Sequence, residues 1–406
     1  MSVLNPPHGA MRREIATISI VSSGHFISHL LQLSLAPLFI AMRADLGVSF
    51  TELGVVLSVF YLCSGGGQVV AGVLVDRFGA DRLLIGGMML QSGSIAAMGF
   101  APSYFALLPL AALAGFGNSV YHPADLSILS HKVSPPRLGR AFAMHVAAGS
   151  LGYAASPLVV GSLGLGFGWR VALTATGLAC LVVALCFLLA RPLLRLERVA
   201  HGTAAGEAQL SFGDILRLRV VVLAFAYFFL TATCLVGLQS FGITALQEGF
   251  GMSAAFAGLT LTCYLAANIL GVLAGGHVAD RATHHHRIAI GGLAVACLAL
   301  LTIGLASLPP AGTFALMLVA GCALGITTPA RDVLVRHATP QTARGKVFGL
   351  VYSGFDVGAL AGPVLYGALL DDHLTHAVFV VAALPLLLAM VTVTGVKARG
   401  EAPSRG

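Results

Sequence analysis

The sequence predicts an all-α membrane protein of twelve transmembrane helices arranged as two parallel six-helix repeats. Three observations carry that fold class. Hydrophobic residues make up 57% of the 406 residues and charged residues only 10%, against about 25% charged in a soluble domain. Apolar runs follow one another along the chain, each near the roughly 20 residues a helix needs to cross hydrocarbon. A charged turn, Gly72-Val73-Leu74-Val75-Asp76-Arg77, recurs 204 positions later as Gly276-His277-Val278-Ala279-Asp280-Arg281. Each copy closes an apolar run that begins at a matching serine (Ser49, Ser253) and carries a matching glycine (Gly67, Gly271). Backbone groups have no water partner inside lipid, so such runs must be helices. Unbroken apolar runs also exclude a membrane β-barrel, whose strands alternate in polarity.

The spans fall at 15–41, 51–75, 83–101, 105–130, 139–165 and 169–190, then 218–244, 254–279, 288–308, 312–336, 345–370 and 375–396. Residues 1–190 form an N-terminal bundle, 191–217 a cytoplasmic linker and 218–406 a C-terminal bundle. The linker is the one long polar segment, and Ser211 to Asp214 reads as the start of a short surface helix. The repeat continues through Gly115–Pro123 against Gly321–Pro329, and through Gly139, Phe142, Gly152, Pro157 and Gly161 against Gly345, Phe348, Gly358, Pro363 and Gly367. An even number of spans per half keeps both copies in one orientation, which places the substrate site near the midplane between them. Small residues every three or four positions in the fifth and eleventh spans let backbones approach closely. The pattern fits either plain tight packing or a flexible helix pair between the halves, and its retention in both copies favours the second.

The formal charge of +7 does not mark a nucleic-acid binder, because 20 of the 23 Lys and Arg fall at the termini or in alternate turns, the exceptions being Arg43, Arg170 and Arg331. That bias puts both termini in the cytoplasm of a multi-pass inner-membrane protein. All seven cysteines lie inside apolar spans, without disulfide or metal spacing, and read as small core residues. Arg12-Arg13 precede a long apolar run with no small-residue cleavage site, so a first span rather than a cleaved signal is expected.

Twelve spans in two parallel halves, the Gly72-x3-Asp76-Arg77-x-Gly79-x-Asp81-Arg82 turn with its second copy, and a Gly/Pro-rich fifth span resemble the major facilitator superfamily. Within it, Gly117-Asn118-Ser119-Val120-Tyr121-His122-Pro123 and the first span, with His25, Leu30-Leu31 and Gln32, resemble the fosmidomycin-resistance type of exporter. Ser28-His29 stand where that group has an Asn-Asp pair, and Ala124 where it has Glu, so substrate identity is not carried over. The resemblance implies that the turns are a latch for the outward-facing state, with Gly72, Asp76, Arg77, Asp280 and Arg281 as gate residues.

Ionisable groups inside a membrane are expensive and are functional candidates by default. Ser22, His25, His29 and Gln32 share one face of the first span; Tyr61, Ser64 and Gln68 share one of the second. Asn118, His122 and Asp125 do so on the fourth span, and His145, Gly149, Gly152 and Ser156 on the fifth. Helical spacing therefore lets four helices line a polar cavity. A lone histidine such as His145 more often holds a bundle together than binds anything. His25 and His29 have the i, i+4 spacing of metal ligands, but without a third ligand a polar cavity wall is the better reading, so no metal or other cofactor is expected. The second half offers Gln239, Asn268 and Tyr352 as substrate contacts, and Asp356 midway along its span. Asp356 is the leading candidate proton carrier, followed by His122 and Asp125. Arg331 and Asp332 fit a structural or gating ion pair. His284-His285-His286 reads as a solvated turn.

These features point to a proton-coupled antiporter exporting a small organic compound. The alternative is a symporter or facilitator taking up a small organic anion paired with His25, His29 or His122. An enzyme is not indicated, since the chain has neither a nucleophile elbow nor a phosphate-cradling loop. The expected partners are the substrate, protons and the bilayer, with no nucleic acid, and the expected state is a monomer.

Overall fold

A computed structural model describes residues 8–196, 218–338 and 344–400, and every regular element among them is a helix. The proposed surface helix at 211–214, most of the linker, and the side chains of Asp280, Asp332 and Tyr352 lie outside the described residues. The first half contains α1 (His8–Gln32), α2 (Phe39–Leu46), α3 (Phe50–Phe78), α4 (Ala80–Met98), α5 (Tyr104–Asn118), α6 (Tyr121–Lys132) and α7 (Pro135–Leu194). The second contains α8 (Arg219–Phe250), α9 (Ala254–Arg281), α10 (His285–Leu305), α11 (Pro310–Ala338), α12 (Arg344–Asp371) and α13 (Ala377–Gly400).

Ten stretches are long and apolar enough to span a membrane. One of them, α7, has 60 residues. At 1.5 Å per residue it would be about 90 Å long, three times the hydrocarbon thickness. It is broken at Gly168, whose φ of 83° and ψ of 160° are non-helical, and so makes the fifth and sixth spans. The third expected span is α4, less apolar because Asp81, Arg82, Gln91, Ser92 and Ser94 lie on it. Exposed side chains on the spans are largely aliphatic or aromatic, among them Leu62, Phe105, Leu189, Leu298 and Val391, as lipid contact requires.

Two spans expected to be continuous are interrupted. The first passes from α1 through a 3-10 turn at Ala36–Leu38 into α2, because Pro37 has no N–H for the carbonyl four residues back. The fourth breaks between Asn118 and Tyr121, where Pro123 likewise leaves the Ser119 carbonyl without its helical partner. The duplicated serines begin both copies of their helix. Ser49 and Glu52 form a reciprocal capping pair at 2.7 and 3.0 Å, and Ser253 Oγ accepts from the Phe256 amide. Such caps satisfy amides the helix leaves free.

The chain divides into two compact units, Met1–Leu46 with Val59–His201, and Gly47–Ser58 with Gly202–Gly406. In the first unit the glycines of α7 are seated on α1. A Cβ on Gly152 would collide with the Phe26 carbonyl and stand 3.1 Å from the Leu30 amide nitrogen. In the second unit Gly354 and Gly358 meet the Phe225 and Phe229 carbonyls of α8. Tight packing within each unit therefore accounts for Gly152, Gly354 and Gly358.

Candidate functional site

The polar stripes of α1, α6 and α7 meet inside the first unit. His25 is 3% exposed and His145 2%, and their rings stack with centroids 3.8 Å apart and planes at 24°. His29, one turn further along α1, lies 4.4 Å from His25, and His122 of α6 lies 5.2 Å from it. Asp125, one turn beyond Tyr121, is fully buried. Its Oδ2 stands 3.6 Å from His25 Nδ1 and 3.8 Å from His145 Nε2. Four imidazoles and a carboxylate are thus gathered in a low-dielectric interior, where an unpaired polar group is costly. His122 alone of the set is exposed, so the cluster has one accessible ring and the rest behind it.

Glycine makes this crowding possible. A Cβ on Gly149 would lie 2.5 Å from His25 Cδ2 and 2.8 Å from His29 Nδ1, well inside van der Waals contact. Tyr153 of α7 completes the wall, its ring 4.2 Å from His29. It was not singled out in the sequence, although it continues the stripe of His145 and Gly149 at the next i+4 position.

Around the cluster lies a set of ordinary hydrogen bonds. Ser64 Oγ donates to Asn118 Oδ1 at 2.8 Å, and Asn118 Nδ2 donates to Ser28 Oγ at 2.8 Å. Gln91 Nε2 of α4 reaches the Ser28 carbonyl at 3.2 Å. The Asn118 amide is therefore engaged on both ends in tying α1, α3 and α5 together. Tyr61 is buried, while Gln32 and Gln68 are half-buried. Gly87 and Gly117 let α4 and α5 touch along their backbones, which explains the glycine that precedes Asn118.

Among the described residues of the second unit, the polar side chains are not gathered in the same way. Gln239 of α8 is buried, Asn268 of α9 donates to the Gly321 carbonyl at 3.2 Å, and Asp356 of α12 is half-buried. Asn268 thus holds α9 against α11. Arg331 lies over the Phe228 ring, 4.2 Å from its centroid. One ligand atom from each of His25, His122 and His145 falls within 4.8 Å of the others, a set that sequence spacing did not reveal because two of its members come from other helices.

A family model described as Major Facilitator Superfamily matches residues 21–245 and 236–406. The chain belongs to the major facilitator superfamily. Among its relatives is the fosmidomycin resistance protein of Escherichia coli strain K12, 26% identical over 396 residues, covering 94% of this chain and 93% of that protein. Another is the multidrug resistance protein MdtH of Aeromonas hydrophila, 28% identical over 330 residues and covering 80% of each chain. Among solved structures, the nucleoside transporter NupG (D323A mutant) superposes with a TM-score of 0.76 at 13% identity, covering 94% of this chain and 99% of that one. A bacterial homologue of the human lysosomal transporter Spinster, inward-facing and occupied, gives 0.74 at 15% identity over 97% and 98% of the two chains. The protein is therefore a multi-pass membrane transporter and not an enzyme.

In this superfamily member the charged turn has a definite local structure. Gly79, with φ of 94°, separates α3 from α4 in a conformation that a side chain disfavours. Asp81 is buried in the first turn of α4 and accepts from Arg191 Nε of α7 at 2.7 Å. That carboxylate also sits at a helix N-terminus, where the dipole favours it. Asp76, Arg77 and Arg281 are exposed. A Cβ on Gly72 would meet nothing within 4 Å. Asp81 of this turn and Arg191 of α7, which sequence reasoning left out of the gate, thus form an ion pair inside the first unit.

Proposed function

We propose that the protein is a proton-coupled antiporter that exports a small organic compound by alternating access in the inner membrane, with both termini cytoplasmic. The observation that carries this reading is the placement of ionisable side chains inside apolar helices. The His25, His29, His122, Asp125 and His145 group lies in the first unit, and Asp356 midway along α12 in the second. Intramembrane ionisable residues face bundle interiors and mark substrate or ion pathways. The names of the two relatives, resistance to fosmidomycin and to multiple drugs, support export.

In this reading the substrate contacts are the histidine wall with Gln32, Tyr61 and Gln68, together with Gln239. Asn118 and Asn268 position helix backbones. Asp356 takes up and releases the driving proton. Asp76 and Arg77, with Asp280 and Arg281, gate the inner side. The test is efflux of fosmidomycin and a panel of organic drugs from cells expressing the protein, with and without an uncoupler. Export that collapses with the uncoupler supports the reading, whereas export that persists removes proton coupling. Net accumulation of the compounds inside the cells reverses the direction.

A further inference from the structure

We propose that the histidine cluster of the first unit binds a divalent first-row transition metal, Zn2+ or Co2+ in tetrahedral coordination, through His25, His122, His145 and the Asp125 carboxylate. Three features of the site lead there. The first is spacing. The three histidine ligand atoms lie within 4.8 Å of one another, and Asp125 Oδ2 is 3.6 and 3.8 Å from the nearest nitrogens of His25 and His145. In a tetrahedral zinc site with bonds of about 2.1 Å the ligand atoms stand about 3.4 Å apart. The carboxylate contacts are within a few tenths of an ångström of that, and the stacked His25 and His145 rings turn apart to aim their nitrogens at one ion.

The second feature is unmet bonding. His25 Nδ1, both ring nitrogens of His145 and both carboxylate oxygens of Asp125 are buried without a hydrogen-bond partner. Buried polar atoms are almost always satisfied, and orphans on three neighbouring side chains call for a shared ligand. A single proton bridges one pair of them. A dication can engage one atom from each of the three at once.

The third is the chemistry of the donors. Three imidazoles and one carboxylate suit zinc, cobalt or nickel, whereas calcium and magnesium require oxygen ligands. The carboxylate supplies the negative charge that offsets the metal, and it turns away an anion. His122 is exposed and offers a path of entry, the last condition for a metal site. His29 and Tyr153 pack against the His25 side of the cluster and hold the rings in place, as outer groups do around metals. These histidines belong to the substrate wall proposed above, and metal binding is read here in the absence of any substrate.

The test uses the full-length protein purified in detergent through a tag free of histidine. Co2+ is titrated while the visible absorption of tetrahedral Co2+ is read, and Zn2+ is then added in competition. One site with a tetrahedral band, displaced by Zn2+, is expected. His122→Ala and His145→Gln should each weaken it at least tenfold, with metal-free melting temperatures near that of the parent. The tract His284-His285-His286, exposed at His284 and half-buried at the other two, is the competing source of binding, so a His284→Ala/His286→Ala double variant is included and should bind as the parent does. The proposal is overturned by absence of the tetrahedral band, by parent-like affinity in His122→Ala, or by loss of the site in the double variant. Should His145→Gln unfold, His122→Ala decides alone, since its ring is exposed and its removal leaves no cavity.

Discussion

Replacing Gly152 by alanine adds one methyl group at the tightest contact between α1 and α7. The new Cβ would collide with the Phe26 carbonyl oxygen, stand 3.0 Å from its carbon and 3.1 Å from the Leu30 amide nitrogen. All three are backbone atoms of α1, so no rotamer change relieves them, and the helices must separate by about 1 Å. Overpacking of this kind costs about 1–3 kcal/mol. For a folding unit of this size each kcal/mol lowers the melting temperature by about 2–4 °C, so a drop of several degrees is expected. Gly86 and Gly139 are helical and have nothing within 4 Å of an added Cβ. Alanine there should be neutral or raise stability by about 0.5–1 kcal/mol through the lower backbone entropy of the unfolded chain. Thermal unfolding of the three purified variants, followed by tryptophan-independent scattering or by far-ultraviolet circular dichroism, gives the comparison. If Gly152→Ala melts with the two controls, the close seating of α7 on α1 is wrong, and with it the crowding of His25 and His29 beside Gly149.

Two further perturbations probe the surroundings of the cluster. Asn118→Ala removes the bonds to Ser64 and Ser28; at about 0.6 kcal/mol for an interhelical hydrogen bond in a membrane protein, a loss of about 1–2 kcal/mol is expected by denaturation. A loss of substrate binding with stability unchanged would show instead that the amide contacts the cargo. For Asp81 and Arg191, paired at 2.7 Å with the arginine about one-third exposed, a double-mutant cycle with Asp81→Asn and Arg191→Gln should give a coupling energy of about 0.5–1 kcal/mol. A coupling of zero would show the pair to be incidental.

The fold was legible because hydropathy reports spans directly, and the repeat because its serine, glycine and Asp-Arg positions keep register over half the chain. Even the division of α7 was readable, since Gly168 falls in the gap between the fifth and sixth expected spans. The breaks at Pro37 and Pro123 were harder to see, because prolines within spans are often accommodated by a bend that leaves the helix intact. Helical spacing identified His25, His29, His122, Asp125 and His145 separately, since each lies on a polar stripe. That these stripes meet is a matter of tertiary packing, set by Gly149 and Gly152, which no single-helix pattern encodes. For the same reason Asn118 and Asn268 read as substrate contacts, whereas their amides tie helices together. The Asp81 to Arg191 pair joins positions 110 residues apart, beyond the reach of any local motif.

The proposed energy source can be tested most directly in proteoliposomes containing the parent or Asp356→Asn, with a pH-sensitive dye inside and an exported compound supplied on one side. The account predicts that the compound drives a proton flux in the opposite direction through the parent. It also predicts that Asp356→Asn, folded and still able to bind the compound, moves no protons. Proton flux through that variant equal to the parent's, or compound movement through the parent with none at all, would contradict it.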